Sequence, residues 1–81
     1  MKAANITHSA ALGYGLGVAR AVGRNAHHLR QALAAHRAGH DATALCDVPT
    51  ADLVKLRNAG LAELAGEWSL TAEGRTLAGR L

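Results

Sequence analysis

The chain has 81 residues, a hydrophobic content of 49% with no phenylalanine, and a formal net charge of +3. This length supports one small domain with a thin core and excludes a large one. The single cysteine, Cys46, excludes an internal disulfide framework and is typical of a reducing compartment, so a cytoplasmic protein is expected. No apolar run reaches the roughly 20 residues that a membrane-spanning helix needs, so no membrane partner is expected.

The charges are unevenly distributed along the chain. Residues 1–40 contain basic residues and no acidic ones, whereas all six acidic residues lie in residues 41–81. An anionic partner is therefore expected to meet the N-terminal helices. The candidate basic face, for an acidic partner or a phosphate, consists of Arg20, Arg24, Arg30 and Arg37.

The N-terminal part predicts a first helix, capped by Asn5 or Thr7 and running to about Val22. Glycine in a helix interior costs about 1 kcal/mol relative to alanine, but it also lets another backbone approach closely. The interior glycines are Gly13, Gly15 and Gly17. They do not match a nucleotide-binding loop, because such a loop follows a strand.

Asn25 is a good cap for a second helix through about Ala38, and Gly39 is a natural stop. Asp41 then predicts the start of a short helix that ends at about Asp47.

The C-terminal half predicts a tight turn at Pro49 followed by a helix from about Thr50 to Ala59. Residues 61–64 and 68–71 have the pattern of two short strands joined by residues 65–67. Thr71 is a cap for a last helix, whose inward positions are Leu77 and Leu81.

This order of elements resembles the winged helix-turn-helix superfamily of bacterial and phage regulators. Residues 50–61, TADLVKLRNAGL, look like a recognition helix entering a wing strand, and residues 68–77, WSLTAEGRTL, look like the end of a wing and a capped helix. The resemblance covers about residues 25–81. It implies a mainly α fold with a two-stranded hairpin, forming a single domain over residues 1–81 with residues 1–24 as a helical extension.

The resemblance implies a DNA-binding transcription regulator that reads duplex DNA with the helix at about residues 50–59. Asn58 is suited to adenine, and Lys55 to guanine or phosphate. A homodimer would double the contacts and enlarge a thin core. The residues carried over as DNA-binding are Thr50, Ala51, Lys55, Arg57 and Asn58.

Three acidic residues depart from a DNA-binding pattern. Asp52 falls in the recognition helix, Glu67 in the wing turn and Glu63 in the wing, so a single copy is expected to bind a duplex weakly. The alternative is a protein-interaction module on the same scaffold, such as a phage-encoded inhibitor of the anti-CRISPR kind or a small adaptor that docks on a bacterial complex. In that case the N-terminal arginines would meet an acidic protein surface.

No other chemistry is predicted. The histidines at 27, 28, 36 and 40 do not form a zinc motif with Cys46, so neither a metal nor a cofactor is expected. Cys46 is expected to be an inert, part-buried thiol beside Asp47, and Trp68 to pack in the core. Without an acid pair or a nucleophile–base arrangement, an enzyme is not expected.

Overall fold

The computed structural model describes residues 7–39 and 44–81. It confirms a mainly helical fold with a small antiparallel sheet of two strands. The predicted caps Asn5 and Asp41 lie outside the described residues, as does His40. No helix within the described ranges is long and apolar enough to cross a bilayer. In chain order, the elements are a 3-10 segment Ser9–Tyr14, α1 Leu16–Arg24, α2 Ala26–Arg37, a second 3-10 segment Ala44–Asp47, α3 Thr50–Asn58, β1 Ala62–Ala65, β2 Glu67–Leu70 and α4 Ala72–Ala78.

The predicted single helix up to Val22 is wrong, because the chain breaks at Gly15. Gly15 has a φ of +103°, a conformation that glycine adopts far more easily than other residues. The residues before it form the first 3-10 segment, capped by the His8 ring, which accepts a hydrogen bond from the Ala10 backbone N–H at 3.3 Å. The His8 backbone N–H also donates to the Ala19 carbonyl at 3.1 Å, so this segment folds back along α1.

Asn25 separates α1 from α2, as predicted, but its side chain does not cap α2. Instead the Asn25 amide donates to the Ala21 carbonyl at 2.8 Å and to the Asp52 carboxylate at 2.9 Å. The side chain is therefore turned into the fold, where it links α1 to α3.

The C-terminal elements lie close to their predicted places. The hairpin pairs Ala62 with Leu70 and Ala65 with Glu67, with Gly66 alone at the turn. Thr71 caps α4 as predicted, since its hydroxyl accepts a hydrogen bond of 3.0 Å from a backbone N–H of the first turn.

The core lies between the helices and one face of the hairpin. α1 packs against α3, and α2 packs against α4 and the second 3-10 segment. Trp68 is half-buried against the core, in agreement with its predicted place. Cys46 is exposed, so its predicted partial burial is wrong, since the second 3-10 segment turns Leu45 inward instead. The larger core residues are Val22, Leu29, Leu33, Leu45, Val48, Leu53, Leu56, Leu61, Leu70 and Leu77.

Candidate nucleic-acid interface

α3 presents one long face away from the core. Its buried residues are Asp52, Leu53 and Leu56, which share one side of the helix. At about 100° per residue, Ala51 and Asn58 point to the opposite side, while Lys55 and Arg57 lie on the two flanks. All the residues predicted to read DNA are exposed: Thr50, Ala51, Lys55, Arg57 and Asn58.

Asp52, the acidic residue of α3, does not lie on this exposed face. The Asp52 side chain is only 8% exposed, and one of its oxygens accepts a 2.8 Å hydrogen bond from the Arg24 guanidinium. Its other oxygen accepts the 2.9 Å hydrogen bond from Asn25. Asp52 therefore lies in α3 as predicted but not on its exposed face, because both carboxylate oxygens accept hydrogen bonds from residues at the end of α1.

The ionisation of Asp52 follows from these contacts. Burial raises its pKa, but the hydrogen bonds from Arg24 and Asn25, together with the charges of Arg24 and Lys55, lower the pKa below the usual 3.8. The Lys55 ammonium lies 4.0 Å from the same carboxylate oxygen that Arg24 contacts. The carboxylate is thus ionised at neutral pH and is compensated from within the fold.

The ion pair brings the basic residues of α1 beside α3. Arg24 stays 44% exposed while it contacts Asp52. Arg20 is exposed one helical turn earlier, on the same side of α1. Together with Lys55 and Arg57 of α3, these two arginines form what we call the basic surface.

The other two arginines of the predicted basic face lie elsewhere. Arg30 and Arg37 are exposed on α2 and line a groove of about 210 Å³ against α4. The structure therefore joins Arg24 to α3, with Arg20 one turn away on the same side of α1, and leaves Arg30 and Arg37 beside α4.

The hairpin contributes no positive charge. Residues 62–70 contain no lysine or arginine, and both of their acids, Glu63 and Glu67, are exposed. Phosphate contacts are therefore available from α1 and α3 and not from the hairpin.

Tyr14 borders the basic surface on its α1 side. A groove of about 380 Å³ runs between the start of α1 and the end of α3, with Lys55 and Asn58 on its α3 side. Its remaining lining residues are Tyr14, Gly17, Val18 and Ala59. An apolar recess thus lies next to two of the predicted DNA-reading side chains.

The role of Asp52 had a signal in the sequence. Asp52 adjoins Leu53 and stands four residues before Leu56, so it shares a side with both inward leucines. The identity of its partners had no local signal, since Arg24 and Asn25 are 28 and 27 residues away along the chain.

The histidines that the structure describes do not assemble into a metal site. The His27 and His28 rings lie against each other with their centres 3.8 Å apart and their planes tilted by 40°. Across residues 7–39 and 44–81, no group of three or more His, Cys, Asp or Glu side chains is placed to hold a metal ion.

The chain matches no protein-family model, no curated protein and no solved structure. The function proposed below is therefore argued from the order of the elements and from the geometry and charge of the basic surface.

Proposed function

We propose that the protein binds duplex DNA as a winged helix-turn-helix regulator, with α3 in the major groove. The observation that carries this proposal is the inward turn of Asp52 and its compensation by Arg24. Because Asp52 is the only acid of α3, the exposed charged residues of that helix are both cations, Lys55 and Arg57. A helix that enters the major groove needs this sign of charge along its flanks.

The order of elements supports the same assignment. The second 3-10 segment, Ala44–Asp47, and the turn at Pro49 precede α3, and the hairpin and α4 follow it. This order resembles that of a winged helix-turn-helix, and on the proposal the 3-10 segment takes the place of the helix before the recognition helix.

Each exposed residue has a role that its chemistry suits. Asn58, near the middle of the outward face, can donate to and accept from the major-groove edge of adenine. Lys55 is suited to guanine or phosphate, and Arg20, Arg24 and Arg57 to phosphates. The acidic hairpin makes no phosphate contact, so affinity depends on α1 and α3.

Fluorescence anisotropy of a labelled random duplex, measured over a range of salt concentrations, tests the proposal. Four cations on phosphates predict a slope of log affinity against log salt of about −3 to −4. The double variant Arg20→Ala/Lys55→Ala should reduce this slope by about half, whereas Arg30→Ala/Arg37→Ala removes the same charge from the α2 side and should leave it unchanged. Absence of binding at low salt, or equal losses from the two double variants, would contradict the proposal.

A protein-interaction module is the second candidate function, favoured by the exposed apolar residues Leu12 and Leu16, each 51% exposed. On this hypothesis, alanine at Lys55 and Asn58 changes little, while Arg30→Glu/Arg37→Glu disrupts a complex with an acidic partner. On the DNA proposal, alanine at Lys55 and Asn58 abolishes specific binding, and Arg30→Glu/Arg37→Glu changes it little.

A further inference from the structure

The outward face of α3 is apolar except at one residue. Val54 and Asn58 follow Ala51 by three and seven positions, so the three side chains lie within about 60° of one another around the helix. Ala51 and Asn58 are exposed, and Val54 is partly exposed. We call these three residues the outer stripe.

The core does not require Val54. Within residues 7–39 and 44–81, the partly buried hydrophobic residues that pack against the core include Val18 and Ala59 but not Val54. The inward side of α3 is filled by Leu53 and Leu56, which are 3% and 1% exposed. Valine is also a weaker helix former than alanine. Neither core packing nor helix stability therefore explains a valine on this face.

The positive charges of α3 lie beside the outer stripe and not on it. The Lys55 ammonium is 4.0 Å from the Asp52 carboxylate, so it lies toward the buried side of the helix. Arg57 lies on the other flank. With α3 in the major groove, cations on the flanks meet the phosphates of the two strands, and the outer stripe meets the edges of the bases.

The outer stripe has the chemistry that an A·T pair needs. The Asn58 amide both donates and accepts, which suits the N6 and N7 edge of adenine. Thymine presents a C5 methyl group in the major groove, and the apolar side chains of Ala51 and Val54 are suited to contact it. Guanine is usually read by arginine or lysine, and the outer stripe contains neither.

We propose that the outer stripe reads A·T base pairs, with Asn58 on adenine and with Val54 and Ala51 against thymine methyl groups. This inference rests on the proposed binding of α3 in the major groove, and it adds the base pairs that the helix prefers. Val54 is then a specificity-determining residue. Burial of one methyl group corresponds to a gain in affinity of about fourfold.

Two duplexes that differ only in these methyl groups test the proposal. The thymine duplex is a short run of alternating A·T pairs, and the uracil duplex carries uracil in place of every thymine, so the hydrogen-bonding edges and the phosphates are the same. Fluorescence anisotropy measures both affinities at one low salt concentration. Val54→Ser removes the apolar side chain from the outer stripe. Leu64→Ser, which removes an exposed apolar side chain from the hairpin, is the matched control. Circular dichroism checks that both variants fold.

The wild type and Leu64→Ser should bind the thymine duplex about fourfold more tightly than the uracil duplex. Val54→Ser should lose most of this preference and keep the affinity of the wild type for the uracil duplex. Equal, salt-dependent binding of the wild type to both duplexes would overturn this inference and leave the DNA proposal intact. A thymine preference that Val54→Ser retains in full would also overturn it, since Val54 would not be its source. Absence of binding to either duplex at low salt would overturn the inference together with the proposed function.

Discussion

Arg24, the last residue of α1, donates a 2.8 Å hydrogen bond to Asp52 in the first turn of α3. This contact has one structural effect and one proposed functional effect. It holds α1 against α3, and it keeps the acid of α3 out of the face that we propose for DNA. A single ion pair thereby makes the outward flanks of α3 uniformly positive.

Replacing Asp52 by alanine should destabilise the fold by about 1–3 kcal/mol, because Asn25, which is buried, would lose an acceptor and Arg24 would lose its ion pair. Urea denaturation of the variant against the wild type measures the change. Glu63→Ala removes an exposed acid of the hairpin and should stay within about 0.5 kcal/mol of the wild type. Equal stabilities of the two variants would contradict the structural role of Asp52.

The contribution of Asp52 should depend on pH. Its pKa in the fold lies below the ordinary 3.8, so the folded state binds a proton less readily than the unfolded chain. The stabilisation is therefore fully present above about pH 4 and is lost as pH falls through the pKa of the folded state. The difference in unfolding free energy between wild type and Asp52→Asn should shrink on acidification, as urea titrations at several pH values would show. A difference that stays constant into the acid range would contradict this assignment.

Two glycines should respond to alanine in opposite directions. A methyl group on Gly74 would collide with the backbone carbonyl of Leu61, so Gly74→Ala should cost about 1–3 kcal/mol. Gly17 lies in α1 with open space around it, so Gly17→Ala should stabilise by about 0.5–1 kcal/mol. Thermal melts of both variants measure the changes. A Gly74→Ala variant as stable as the wild type would be evidence against the packing of α4 on the start of the hairpin.

Thr71 connects α4 to the end of α3. Its hydroxyl caps α4 and also donates a 2.6 Å hydrogen bond to the Gly60 carbonyl. Thr71→Ala should therefore lower the unfolding free energy by about 1–2 kcal/mol, whereas Thr71→Ser keeps the hydroxyl and should recover most of it. If serine and alanine were equally destabilising in chemical denaturation, the methyl group and not the hydroxyl would be the stabilising element.

The sequence predicted α3, the hairpin and α4 well because their boundaries are set by local chemistry. Pro49 fixes the start of α3, Gly66 permits the tight turn with a φ of +83°, and Thr71 caps α4 with its own side chain. The helical pattern places Gly15 inside a helix, whereas its positive φ ends one segment and starts another. Whether the chain breaks at Gly15 depends on how the first 3-10 segment packs on α1. The local sequence pattern does not predict that packing.

The sequence predicted the exposed residues of the candidate site, but not the ion pair beneath them, because the first depends on local spacing and the second on packing. Helical spacing predicted the exposed residues of α3, because they lie on the side of the helix opposite the inward-facing leucines. The partnership of Arg24 with Asp52 depends on how two distant helices cross. As a consequence, the sequence overstated the acidity of α3.

Amide chemical-shift mapping would locate the DNA surface residue by residue. The protein, uniformly labelled with nitrogen-15, is titrated with a short duplex at low salt. The proposed geometry predicts the largest shifts at residues 50–58 and at Arg20 and Arg24, with small shifts at Arg30 and Arg37 and in residues 63–67. Shifts confined to α2, α4 or the hairpin, or a spectrum that the duplex leaves unchanged, would contradict DNA binding through α3.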